Sequence, residues 1–225
     1  MPPITYAKYA GLLYFIIIVF GISSEVFIRS SLIVTGDANA TASNILASQS
    51  LFRIGFVFDS IMLLADVAIA IVFYILLRPV SKILSLTAAA FRLMQAAILG
   101  FNLLNYYVAL LLLSGTGYVA ALQDEDLNSL AMFFLDMHSH GYDLGLIFFA
   151  ASNLILGYLV IKSRYFPVFL GYGLIGAALV YLVGSYARFV FPNYVSLIEP
   201  MYIIPLIAEL SFCLWLLVKG VKVQE

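Results

Sequence analysis

The chain has 225 residues, of which 64% are hydrophobic and 10% are charged, and its mean hydropathy is +1.08. In an average soluble domain roughly a quarter of the residues are charged. A chain this apolar cannot cover its surface with polar groups, so we expect lipid rather than water around it. The net charge of -1 argues against nucleic-acid binding, which needs a basic face. The single cysteine, Cys213, excludes an intramolecular disulfide.

Six apolar stretches are long enough to cross a bilayer core, which takes about 20 residues. They cover approximately residues 9–28, 54–77, 83–113, 127–161, 168–190 and 201–218. We therefore predict an all-α fold, a polytopic transmembrane helical bundle of about six spans that forms a single domain over residues 1–225. The loop at residues 29–53 is predicted to contain a short interfacial helix capped by Asp37, with a plain connector as the alternative.

Basic residues are distributed unevenly between the two ends of these spans. Seven lie on the side that holds both termini: Lys8, Arg78, Lys82, Lys162, Arg164, Lys219 and Lys222. The loops on the other side hold only Arg29 and Arg53, together with an acidic run over residues 124–126. Because short cytoplasmic loops carry an excess of Lys and Arg, we predict that the N-terminus and the C-terminus are both cytoplasmic.

Three ionisable residues fall at the same depth in three different spans. At about 1.5 Å per residue, Asp66, Arg92 and Glu209 lie roughly 14–16 Å from the side of the termini, near the bilayer midplane. Such residues are functional candidates, and a buried arginine needs a carboxylate partner. Either acid can pair with Arg92, which leaves the other as a candidate proton-binding group. The alternative is a structural arginine–carboxylate clamp that never titrates.

A second tier of polar residues lies between this layer and the outer side. Its members occupy helical faces or span ends: Glu25, Asp59, Gln95, Asn102, Asn105, Asp136, His140, Asp143 and Arg188. We expect these groups to outline a pocket that opens outward and narrows to the midplane. Asp66, Arg92 and Glu209 would form its charged floor. Its wall would be lined by Asp59, Asn102, His140 and Asp143.

The fourth span carries the strongest candidate for metal binding or catalysis. Asp136, His140 and Asp143 follow one another at i, i+4 and i+7, a spacing that suits one divalent metal such as zinc. The chain has only two histidines and no H-E-x-x-H motif, so a hydrogen-bonded network is the alternative. His140 and Asp143 are the candidate catalytic residues.

Four segments are distinctive: GISSEVFIRSSLIVTGDANATASNIL, LLRPVSKILSLTAAAFRLMQAAILGFNLLN, FLDMHSHGYDLGLIFF and AELSFCLWLLVKGV. In these segments the chain resembles a prokaryotic family of six-helix integral membrane proteins that is catalogued as a domain of unknown function. The resemblance extends from about Tyr9 to Val221. It implies the six-span topology, a shared pocket and a multi-pass location in the prokaryotic plasma membrane, and it implies no substrate.

Three functions agree with this pattern. The first is an outward-facing pocket that binds or transports a small polar or amphiphilic ligand, with proton coupling through Asp66 or Glu209. The second is an intramembrane hydrolase or transferase acting on a lipid or isoprenoid through His140 and nearby carboxylates. The third is a structural or accessory membrane subunit. The expected partners are membrane lipid and a small-molecule ligand, and the sequence leaves a homo-oligomer open.

Overall fold

The computed structural model describes residues 2–115, 117 and 122–221, so that Lys222 lies outside the described residues. Within these ranges the chain is helical and contains no strand. Six helices are long and apolar enough to cross a membrane, which confirms the all-α, six-span prediction. The helical elements are α1 (Pro3–Leu32), α2 (Ala38–Ala47), α3 (Gln49–Leu77), α4 (Lys82–Leu113), α5 (Asp124–Ser163), α6 (Val168–Val190) and α7 (Ile203–Val218). Short helical turns over residues 192–202 precede α7 and belong to the sixth span.

The six long helices form a closed ring. Each helix packs against the next long helix along the chain, and α1 packs against α7 to close the ring. Because consecutive helices run in opposite directions, the bundle has two faces. We call the face with the two chain ends the terminus face and the opposite one the distal face. Every long helix therefore packs against two neighbours around the ring.

The half of the bundle near the terminus face has a dense apolar core. Tyr14, Phe73 and Phe212 pack together by edge-to-face and stacked contacts with ring centroids 5.8–6.3 Å apart. The helices α5 and α6 approach closely at Gly157 and Gly171, because a Cβ on Gly157 would lie 2.7 Å from the Gly171 carbonyl oxygen. Small residues allow such backbone contact between membrane helices. This half of the interior is therefore closed by packing.

The first helix differs from a regular α-helix near the distal face. It extends to Leu32, beyond the predicted end at residue 28, and its turns over Ser23–Arg29 are π-helical. An added residue rotates everything after it by about 100° around the helix axis. These turns keep Arg29 inside the helix rather than in the predicted loop, and Arg29 is buried against α3.

Helix α2 covers part of the distal face. The Asp37 side chain accepts a hydrogen bond from the Ala40 backbone N–H at 2.9 Å, which caps the start of the helix. Ile45 is buried, and Asn39 accepts a hydrogen bond from Asn128 of α5 at 2.9 Å. At 40 residues, α5 is about 60 Å long, twice the thickness of a bilayer core. Its first turns therefore extend past the core and hold α2 in place.

Candidate functional site

A cavity of ≈ 670 Å³ lies in the distal half of the bundle. It is bounded by the end of α1, the middle of α5, the end of α6 and the turns before α7. Besides the Ser139 hydroxyl, most of its polar lining consists of charged and aromatic side chains: Glu25, Arg29, Asp136, His138, Tyr142, Asp143, Arg188, Glu199 and Tyr202. Apolar residues such as Ile33, Leu135, Leu146 and Ile198 complete the wall. A cavity of this size and mixed chemistry is typical of small-molecule sites, which measure roughly 300–1,000 Å³.

Arg29 forms the first charged group of the cavity. Its Nη1 donates to the Asp59 carboxylate at 2.6 Å and to the Ser24 hydroxyl at 3.1 Å, and its Nε donates to Glu25 at 2.7 Å. The side chains of Arg29 and Asp59 are 9% and 4% exposed, whereas that of Glu25 is 62% exposed. Arg29 therefore connects a buried carboxylate to one that contacts solvent in the cavity.

Arg188 forms the second charged group, on the opposite wall. Its Nε lies 3.1 Å from the Asp143 carboxylate, and its Nη2 donates to the Ser139 hydroxyl at 2.9 Å. The Asp136 carboxylate is 4.0 Å from the same Nη2, and the Ser185 hydroxyl lies 3.4 Å from Asp143. These contacts tie α6 to α5. Like Arg29, Arg188 faces two carboxylates.

The predicted midplane pair is present but sealed. Arg92 contacts the Asp66 carboxylate at 2.6 Å through Nη2 and at 2.8 Å through Nε, and Gln95 donates to the other oxygen of Asp66 at 3.1 Å. The side chains of Arg92 and Asp66 are 2% and 3% exposed. The guanidinium carbon lies 4.9 Å from the centroid of the Phe149 ring and 5.5 Å from that of Tyr14, within cation–π distance. Helices α1, α3, α4 and α5 thus meet at this arginine.

Glu209 lies in the same interior without an arginine partner. Its carboxylate accepts a hydrogen bond from the Asn153 amide at 3.3 Å, and the Tyr14 and Tyr181 hydroxyls lie close to it. Within the described ranges, no ion pair involves Glu209. Of the two acids expected to compete for Arg92, Asp66 is the one that pairs. Glu209 is the carboxyl group left with neutral partners.

The cavity and the polar layer are separate, which differs from the predicted pocket. Asp66, Arg92 and Glu209 do not line the cavity, because they bond across helix interfaces and close the interior below it. Of the predicted wall residues, Asp143 lines the cavity and Asp59 lies behind Arg29. Gln95 and Asn102, which were also predicted to belong to the pocket, form hydrogen bonds between helices instead.

The asparagines of α4 fix its position against α5. The Asn102 amide donates to the backbone carbonyl of His138 at 2.7 Å, and Asn105 donates to the Asn102 side-chain oxygen at 3.0 Å. Gly141 makes this approach feasible, because a Cβ there would collide with the Asn102 side chain. These residues therefore position the wall of the cavity without reaching its interior.

The three residues proposed to bind a metal do not converge on one point. His140 lies 3.5 Å from the Asp136 carboxylate, and its Nδ1 is 2.9 Å from the Asp136 backbone oxygen. Asp143 pairs with Arg188 instead. Among the described residues no group of three His, Cys, Asp or Glu side chains is arranged to hold a metal ion. The arrangement gives the metal hypothesis no support, and it stays a prediction from sequence.

Several residues that line the cavity are not among the predicted site residues. The predicted first span ends at residue 28, which places Arg29 in a loop, whereas the helix continues to Leu32. His138, two residues before His140 and therefore on another face of the helix, is not among the predicted site residues, yet its buried ring lines the cavity between Tyr106 and Tyr142 at centroid distances of 5.4 and 6.5 Å. Tyr202, the third of these lining residues, is the last residue of the short turns that precede α7.

The chain is similar to known proteins over most of its length. The DUF4386 family model, described as a domain of unknown function, matches residues 9–220. An uncharacterized protein of Archaeoglobus fulgidus is 32% identical over 165 residues, which cover 73% of this chain and 83% of that protein. No solved structure matches the chain.

Proposed function

This chain belongs to the DUF4386 family of unknown function, and we propose that it binds or transports a small polar or amphiphilic ligand through the cavity at its distal face. The observation that carries the proposal is the cavity of ≈ 670 Å³ with two arginines and four carboxylates in its lining. Charged groups and an unfilled volume inside a membrane bundle both lower its free energy of unfolding, so they are not expected in a bundle with a purely structural role. A ligand that uses these groups offsets that cost.

The closed terminus half supports a site with a single entrance. The apolar core around Tyr14, Phe73 and Phe212 and the close contact at Gly157 lie between the cavity and the terminus face. With the predicted cytoplasmic termini, the cavity opens to the outside of the cell. A transport cycle would then require the terminus half to open in a second conformation, with the polar layer between the two halves.

Glu209 is the proposed site of proton coupling within this function. It is a carboxyl group buried among Asn153, Tyr14 and Tyr181, whereas Asp66 is already committed to Arg92. A carboxyl group that can lose its charge at low cost to its neighbours suits a proton carrier in a membrane. The catalytic alternative is less favoured, because His140 does not line the cavity.

Native mass spectrometry of the gently solubilised protein tests this function. Ser139 lines the cavity, so Ser139→Trp fills it with an indole ring. We expect an organic molecule bound to the wild-type protein and lost from this variant. The matched control is Phe133→Trp, on the same helix but with a side chain that is 58% exposed away from the core, which should keep the bound molecule. Equal occupancy in the wild type and in Ser139→Trp would contradict the proposal.

A further inference from the structure

The turns over residues 192–202 separate two spaces of opposite chemistry. On one side is the charged cavity described above. On the other side, an apolar groove of ≈ 410 Å³ is lined by Leu182, Val183, Tyr186, Ala187 and Phe191 of the α6 end together with Tyr194 and Ile198. Ile198 lines both spaces, so the groove and the cavity meet at this side chain. A polar site that adjoins an apolar groove fits a molecule with a polar head and an apolar chain.

The wall between the two spaces is weakly anchored. None of the residues in its short helical turns is buried, and Leu197 at its centre is 71% exposed. Turns with few buried contacts open at low free-energy cost. A chain attached to a head group in the cavity can therefore pass beside Ile198 into the groove without breaking the packed core.

The charge of the cavity selects the head group. Arg29 is shared by Glu25 and Asp59, and Arg188 is shared by Asp136 and Asp143, so that each arginine is outnumbered by its carboxylates. Within the described part of the chain, the fifth acid, Glu199, takes part in no ion pair. An anionic head group would increase this surplus of negative charge, whereas a cation would reduce it.

Aromatic side chains complete a site for a cation. Tyr142 and Tyr202 line the same cavity as Glu199, and the faces of aromatic rings attract ammonium groups. We infer that the ligand is a cationic amphiphile, with an ammonium head among Glu199, Tyr142 and Tyr202 and a single hydrocarbon chain in the groove beside Val183. This inference rests on the proposed function and names the class of its ligand.

Binding of decyltrimethylammonium to the purified protein in a neutral detergent tests this assignment. Tetramethylammonium supplies the head without the chain, and decyl sulfate supplies the chain with the opposite charge. We expect decyltrimethylammonium to bind at least about tenfold more tightly than either, because only it uses both the surplus carboxylate charge and the groove. Decyl sulfate binding as tightly as the cation would overturn the head-group assignment.

Two variants separate the head site from the chain site. Glu199→Gln should weaken binding of both cations about tenfold, since it removes a carboxylate from the head site. Val183→Trp, which fills the groove, should weaken decyltrimethylammonium and leave tetramethylammonium unchanged. The control is Leu179→Trp, one turn away on α6 and similarly exposed. If Val183→Trp and Leu179→Trp behave alike, the groove assignment is overturned. If no cation binds while the co-purified molecule still depends on Ser139, this inference fails and the proposed function stands.

Discussion

Arg29 at the cavity and Arg92 at the midplane both pair with carboxylates, but in very different surroundings. Arg29 bridges buried Asp59 and solvent-exposed Glu25, and it faces a cavity of ≈ 670 Å³. Arg92 has one carboxylate partner, Asp66, and two aromatic rings enclose its guanidinium. The first cluster has access to water and to a ligand. The second is closed on every side, so its role is to hold four helices together.

This difference separates stability from function within one bundle. Removing one member of a buried ion pair leaves the other charge uncompensated, which costs several kcal/mol. In a pair with access to water, the remaining charge is hydrated instead. Changes at Arg92 should therefore act on folding, and changes around Arg29 should act on ligand binding. Three substitutions, from the largest expected effect on stability to the smallest, test this separation.

Removing the guanidinium of Arg92 should have the largest effect. Arg92→Met leaves the Asp66 carboxylate buried without a counter-charge, and we expect the free energy of unfolding to fall by about 3–5 kcal/mol. Unfolding of the purified protein in mixed micelles measures it. The double variant Arg92→Met with Asp66→Leu should recover most of the loss, because it removes both charges. The exposed Arg53, bonded to the Tyr107 hydroxyl, supplies the control Arg53→Met. A single variant no less stable than this control would refute the sealed-pair interpretation.

Neutralising Glu209 should change stability less and pH dependence more. The amide of Glu209→Gln can still accept the hydrogen bond from Asn153, so we expect the free energy of unfolding to change by no more than about 1 kcal/mol. Affinity for the co-purified ligand, measured across pH, should vary in the wild type and become constant in this variant.

Asp37→Asn serves as the control for Glu209, because this exposed carboxylate lies outside the cavity and asparagine also caps a helix, so the pH dependence should be kept. An unchanged pH profile in Glu209→Gln would exclude this residue as the proton carrier. The sealed layer would then have a purely structural role, as Arg92 and Asp66 already indicate.

The smallest effect on stability is expected at the exposed end of the Arg29 cluster. Glu25→Gln leaves Arg29 bonded to Asp59 at 2.6 Å, and Glu25 itself is 62% exposed. Exposed ion pairs contribute little, so the free energy of unfolding should change by about 0.5 kcal/mol or less. The same unfolding assay measures it. A loss as large as that of Arg92→Met would mean that the Arg29 and Arg92 clusters contribute equally to the free energy of unfolding.

The sequence predicted much of this arrangement because a bilayer imposes simple rules. Stretches of about 20 apolar residues identify membrane-spanning helices, and depth along each span placed Asp66 and Arg92 in one layer, where they form an ion pair. The ends of the helices were harder to predict, since hydropathy does not register the π-helical turns that carry Glu25 and Arg29. The aromatic lining of the cavity, such as Tyr142, has no pattern distinct from that of other membrane tyrosines.

Composition and span length by themselves determined a six-helix membrane bundle with charged residues inside, since the cost of exposing backbone and charge to lipid leaves few other folds. The order of the helices around the ring was decided only by tertiary packing. That packing selected Asp66 rather than Glu209 for Arg92, turned His138 towards the cavity and placed the charged floor below a seal. Pairing depends on distances of a few ångströms between different helices, and one sequence does not contain those distances.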